Sequence, residues 1–273
     1  MISLSLQPKF VVSREQSIVV VSIAILLLGA AWAWMHPATP TPVWHVALLF
    51  DASKTAAPTR RCPDGRRLVS QVLDQARGDV QLVVFQTGDR STGHQPIRLG
   101  AVSVSHPTRL LEGTQDDAAR QQALAEADRL CAAVRVTDDS PLVDNLAAVS
   151  ETMPASECSK PDVRCAVIFR TDGGEELNRD FIAALDRFPE ESHDPTLDVR
   201  INNAHHDVLV CGVSERSVST KPARRNPGGR PLPTYGAVKA AFARVVSHPE
   251  RLRVEPFCAA LQAAAAARPE MPR

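Results

Sequence analysis

The chain has 273 residues, and its 31 Lys and Arg balance 31 Asp and Glu, so the formal net charge is zero. That length is enough for one large hydrophobic core. The lack of a basic excess argues against nucleic-acid phosphates or an anionic lipid surface as partners, and an aromatic content of 4% leaves little for stacking on bases.

Residues 1 to 16 read as a short cytoplasmic N-terminal segment. Residues 17 to 35, SIVVVSIAILLLGAAWAWM, carry no charge. At about 1.5 Å per helical residue such a run spans most of a bilayer core of about 30 Å. Trp32 and Trp34 stand at its C-terminal end, where aromatic belts form. Lys9 and Arg14 precede it and the next basic residue is Lys54, so the positive-inside rule predicts a cytoplasmic N-terminus and an extracytoplasmic remainder. Ala31-Trp32-Ala33 also resembles a signal-peptidase site, but the apolar run exceeds the usual signal core of about 7 to 15 residues. An uncleaved single-pass anchor is the favoured expectation. The proline-rich segment 36 to 43 then reads as a stiff linker, residues 44 to 267 as one folded domain, and 268 to 273 as a tail.

Within that domain the pattern alternates. Residues 44 to 50 (WHVALLF) predict a buried strand, 65 to 76 a helix with Leu68, Val72 and Leu73 on one face, and 79 to 87 and 96 to 104 two strands. The last two share one turn, which predicts an antiparallel edge. Residues 116 to 134 are rich in helix formers, and 141 to 153 repeat the helical spacing through Leu142, Leu146 and Val149. A strand at 164 to 171, an amphipathic helix at 177 to 188 and a strand at 207 to 214 follow. Thr234 is placed to cap a helix carrying Val238, Phe242 and Val245. A last strand at 251 to 255 and a final helix from Pro256 complete the reading. Strands alternating with helices predict an α/β fold: a doubly wound, mostly parallel sheet with one antiparallel edge strand and helices on both faces.

Six cysteines lie beyond the apolar run, a number that suits disulfides in an oxidising compartment. Cys158 and Cys165, flanking a six-residue loop, are the best local pair, and Cys211 inside VLVCGV reads as a buried thiol.

Parallel sheets bind ligands at the carboxyl ends of their strands. Three oxygen-bearing segments fall there. The first strand ends in Asp51, followed by Ser53 and Thr55; Ser140 precedes a helix; Asp172 ends AVIFRTD. Oxygen donors without His or Cys suit a hard cation such as Mg²⁺ or Ca²⁺. Taken singly, each piece is also ordinary turn chemistry, with Ser140-Pro141 a common helix start. His205, His206 and Asp207 also carry metal-ligand chemistry, but they directly precede a strand, where neighbours point to opposite faces. The loop 215 to 233 is long and basic, with Arg216, Lys221, Arg224, Arg225 and Arg230. It leaves the carboxyl end of a strand, where it would steer an acidic partner. No GxSxG, HExxH, P-loop or GxGxxG in its context occurs, so no enzymatic activity is expected.

VALLFDASKT, SPLVDNLAAV and AVIFRTDGGEE together, in that order, resemble the three pieces of a von Willebrand factor type A (VWA) domain that form its metal-ion-dependent adhesion site (MIDAS). The resemblance spans roughly residues 44 to 266 and implies a VWA/Rossmann-like fold. It implies a metal held by Asp51, Ser53, Thr55, Ser140 and Asp172, with Thr55 and Ser140 each exchanging one hydroxyl residue for another. The implied cofactor is Mg²⁺, or Mn²⁺ or Ca²⁺, and the implied partner is a protein that supplies an acidic residue to the metal. The architecture points to a bacterial inner-membrane protein with a periplasmic domain. Two alternatives stay open: a scaffold of a membrane complex with a degenerate site, and a regulatory partner of a MoxR-type ATPase.

Overall fold

Val43–Phe50 (β1) is apolar on both faces because it lies in the middle of a sheet covered on both sides. The computed structural model describes residues 42–53, 65–76, 78–89, 92–93, 95–105, 114–137, 141–171, 179–187, 197–213, 234–256 and 258. β1 pairs in parallel with Val80–Gln86 (β2) on one side and Val163–Arg170 (β4) on the other, with Leu49 level with both Phe85 and Phe169. Ile97–Val104 (β3) closes one edge antiparallel to β2. Asp207–Cys211 (β5) and Leu252–Glu255 (β6) extend the other side in parallel, giving the order β3-β2-β1-β4-β5-β6.

Alternation along β1 sorts the core into two layers. Val46, Leu48 and Phe50 meet Leu68, Val69, Val72 and Leu73 of Gly65–Gln75 (α1), with Leu124, Ala127 and Leu130 of Thr114–Ala132 (α2). Ala47 and Leu49 join the opposite layer, with Leu142, Leu146 and Val149 of Leu142–Glu151 (α3), Ile182 and Leu185 of Arg179–Arg187 (α5), and Val238 and Phe242 of Tyr235–Val245 (α6). Phe242 meets Phe169 edge-to-face, with ring centroids 6.5 Å apart. The fold is thus an α/β doubly wound sheet, as the alternation predicts. Thr234 caps α6 as expected, its hydroxyl accepting from the Ala237 N–H at 3.2 Å.

Two features depart from expectation. A four-residue helix, Ala155–Cys158 (α4), precedes β4; one helical turn carries no periodicity to read. Cys211 is not a buried thiol but is bonded to Cys258. The partner lies 47 residues on, beyond the reach of a local pattern, and Cys258 is brought against the end of β5 by the fold itself. Cys158 and Cys165 are joined as their spacing predicts. Cys131 is disulfide-bonded as well, and no described cysteine is free.

The expected membrane anchor, the linker up to residue 41, the basic loop 215 to 233 and the final helix lie outside the described residues, Cys258 apart. Among the described residues no helix is long and apolar enough to cross a membrane.

Candidate metal centre at the carboxyl end of the sheet

From β1 the chain runs through α1 to β2 on one side, while β4 lies on the other side of β1. The order therefore reverses at the β1/β4 pair, and in such sheets the ligand crevice lies outside the carboxyl ends of the strands at that point. Asp51 is the first residue past β1. Its N–H donates to the Arg170 carbonyl at 2.9 Å, which continues the β1–β4 ladder by one bond.

The Asp51 side chain is 2% exposed, and both of its oxygens are engaged. Oδ1 accepts the Ser53 N–H at 2.9 Å, and Oδ2 accepts the Thr171 hydroxyl at 2.6 Å. A hydrogen bond to a carboxylate is short and strong, and here two of them hold the group in one orientation. The Ala52 N–H donates to the Thr87 hydroxyl at 3.0 Å, and the Thr137 N–H donates to the Ala52 carbonyl at 2.8 Å. Ser53 is fully buried and forms a parallel bridge with Thr137. The segment after β1, the end of β4 and the stretch ahead of α3 therefore meet at Asp51–Ser53.

Amide side chains fix these segments from behind. Gln86, at the end of β2, pairs with the backbone of Arg135: Nε2 donates to its carbonyl at 3.1 Å and Oε1 accepts its N–H at 2.9 Å. Asn145 is fully buried in the first turns of α3. Its Oδ1 accepts the Gly88 N–H at 2.8 Å, and its Nδ2 donates to the carbonyls of Pro141 at 2.9 Å and Gly88 at 3.4 Å. Pro141 occupies the capping position of α3, without a side-chain cap, so the helix begins one residue later than Ser140-Pro141 turn chemistry predicts.

Of the five metal-ligand candidates, Asp51 and Ser53 stand together in the crevice. Thr55, Ser140 and Asp172 lie outside the described residues; Pro141 and Thr171, described, flank two of them at the site. Thr87, Thr137, Asn145 and Gln86 were not singled out by sequence. Asn145 carried a signal: it sits between Leu142 and Val149 on the apolar stripe of its helix, where a polar residue needs an internal partner. Among the described residues no three His, Cys, Asp or Glu side chains gather as a metal cluster. Among the described residues, one carboxylate stands there with the hydroxyl residues Ser53, Thr87, Thr137 and Thr171 about it, oxygen chemistry that suits a hard cation rather than zinc or copper.

His205 and His206 lie elsewhere, at the amino end of β5. They occupy a turn and not a strand, so strand alternation does not separate them, and both line one pocket.

No protein-family model and no curated protein matches the chain. Among solved structures it is similar to the conserved hypothetical protein BatB from Bacteroides thetaiotaomicron, at 14% identity over 78% of this chain and 90% of that one, with a TM-score of 0.39. It is similar to proximal thread matrix protein 1 of the mussel byssus at 11% identity over 81% of this chain and 44% of that one, with a TM-score of 0.39. An aerotolerance-related membrane protein from Bacteroides fragilis aligns at 16% identity over 74% of this chain and 89% of that one, with a TM-score of 0.31.

Proposed function

We propose that this chain is a membrane-anchored VWA-type binding module in which a divalent cation, Mg²⁺ or else Mn²⁺ or Ca²⁺, mediates contact with an acidic group of a partner protein. The observation that carries this reading is Asp51: a buried carboxylate at the switch point of the sheet, held by the Thr171 hydroxyl and the Ser53 N–H. A cation beside this buried carboxylate would meet opposite charge at short range, where little water screens it. Asp51, Ser53, Thr55, Ser140 and Asp172 would hold the ion. Magnesium keeps several waters, so a carboxylate whose oxygens already accept hydrogen bonds suits water-mediated contact. The bound ion supplies a strong local positive charge for a partner's carboxylate.

The disulfides Cys158–Cys165 and Cys211–Cys258 support an oxidising, extracytoplasmic location for the domain. That location also follows from the basic residues ahead of the apolar run at 17 to 35. It weighs against partnership with a cytoplasmic ATPase.

Calorimetric titration of Mg²⁺, Mn²⁺ and Ca²⁺ into the chelator-treated full chain tests the reading. One-site uptake that disappears in both Asp51→Asn and Asp172→Asn is the expected result. A folded wild-type chain that takes up none of the three ions would overturn it and leave the scaffold role.

A further inference from the structure

At the opposite end of the sheet, where β4 and β5 begin, lies a pocket of about 200 Å³. Ser150 and Glu151 of α3, Met153, Cys158 of α4, and His205 and His206 of the turn ahead of β5 line it. His206 is 3% exposed, and its Nε2 is buried without a hydrogen-bond partner; so is the Ser150 hydroxyl oxygen. His205 differs. The Ser159 hydroxyl donates its only proton to the Ala155 carbonyl at 2.7 Å, so towards His205 Nδ1, 3.2 Å away, it accepts. Nδ1 of His205 therefore carries the ring proton, and this bond ties the turn to α4.

The charges around His206 come from each element packed on it. Arg251, in the 3-10 turn ahead of β6, bonds the Ala204 carbonyl and pairs with Asp207 at 3.3 Å. His205 is the neighbour within the turn, and Glu151 stands on the pocket wall contributed by α3. Burial above all, then Arg251 and His205, push the His206 imidazole down to about 4, so the ring is neutral in its seat. A protonated ring there would be a buried cation with no partner at Nε2 and a guanidinium nearby. The pocket offers it space, and Glu151 offers it a counter-charge.

We propose that the turn Ala204–His206 is an acid-sensitive latch: on protonation the His206 ring leaves its seat for the pocket and Glu151, and the turn lets go of α4. The sign follows from linkage. The closed form holds the neutral ring, with its pKa depressed from 6.5, and the open form lets it titrate normally, so closure is favoured above pH 6.5 and weakens as pH falls towards 4. The opening equilibrium rises by about 30-fold at pH 5 and by up to about 300-fold well below pH 4.

Amide hydrogen exchange on the full chain, corrected for intrinsic pH dependence, reads this directly. Between pH 7 and pH 5 the amides of Ser159 and Lys160, bonded to the Ala155 and Glu157 carbonyls, are expected to lose about 20-fold in protection with those of the turn, while β1 and β4 lose none. His206→Gln is expected to abolish the change and Glu151→Gln to reduce it. Unchanged protection around α4, or an equal loss across β1 and β4, would overturn the latch. Should His206→Gln fail to fold, the His206 ring resonance of the wild-type chain decides. A depressed ring midpoint at which the rise in local exchange levels off supports the latch, and an undepressed midpoint near 6.5, or a titration with no such rise, overturns it.

Discussion

The Thr171 hydroxyl donates a 2.6 Å hydrogen bond to Oδ2 of Asp51 across a sequence separation of 120 residues. It links the ends of β1 and β4 at the point where the sheet's order reverses. Both residues are buried, so removing the donor leaves a carboxylate oxygen with one partner fewer and little water to replace it. Thr171→Val is expected to lower stability by about 1 to 3 kcal/mol, read as a lower urea midpoint at unchanged slope, while Thr171→Ser restores most of it. Equal midpoints for the Val and Ser variants would deny the hydroxyl this role.

Asn145 makes three hydrogen bonds from one fully buried amide, joining the start of α3 to the segment after β2. Asn145→Leu keeps the volume but strands the Gly88 N–H and weakens the hold on Pro141. A loss of about 2 to 4 kcal/mol is expected in chemical denaturation, together with faster exchange of the Gly88 amide than of its β2 neighbours. A stability within about 0.5 kcal/mol of wild type would mean that the helix start is held by other means.

How far the sequence carried the reading depends on the range of each interaction. β1 was legible because five apolar residues from Val46 to Phe50 end abruptly in Asp51, and a strand covered on both faces must look like that. The antiparallel edge was legible because the stretches that form β2 and β3 share one turn with no helical pattern between them. The pairing of Cys211 with Cys258 was not, nor was the match of Gln86 with Arg135, 49 residues apart. Such partners are chosen by the fold, and a strand-end Gln looks the same whether it clamps a loop or faces water. Asp51 and Ser53 could be singled out because their spacing is local; the network that orients them was missed because it is not.

Glycine separates two kinds of cost in the segment after β2. A Cβ on Gly88 would lie 1.8 Å from the Gln95 carbonyl oxygen, a backbone atom, so the chain itself must move. Gly93 has φ +64 and open space around it, so only the left-handed backbone is strained by a side chain. Gly93→Ala is expected to cost about 1 kcal/mol, and Gly88→Ala more than twice that, since Gly88 also receives the Asn145 clamp. Thermal unfolding of the two variants side by side checks the order; the reverse order would show that the turn has room to shift.

The two described disulfides differ in the loops they close. With sequence separations of 47 and 7, the chain-entropy relation gives about 4 kcal/mol for Cys211–Cys258 and about 2 kcal/mol for Cys158–Cys165. Paired Cys→Ser variants, Cys211→Ser with Cys258→Ser and Cys158→Ser with Cys165→Ser, are expected to lose stability in that order. A larger loss from the short loop would place the effect in native packing around Val43, Met153 and Val163, which surround that bond.

Ser53 offers the sharpest separation of scaffold from ligand chemistry. Its backbone donates to Asp51 at 2.9 Å and bridges to Thr137, and Ser53→Ala leaves these two contacts in place. Only the hydroxyl is lost, and on the proposed reading that hydroxyl is a direct ligand of the cation. Ser53→Ala is therefore expected to weaken Mg²⁺ binding by about tenfold or more, equivalent to about 1.4 kcal/mol, while the cation-free chain loses no more than about 1 kcal/mol of stability. Cation-free stability and Mg²⁺ affinity, measured on the same preparation, distinguish the cases. An unchanged affinity would remove Ser53 from the ligand set, and a parallel fall in both would mean that the hydroxyl holds the crevice together instead of holding an ion.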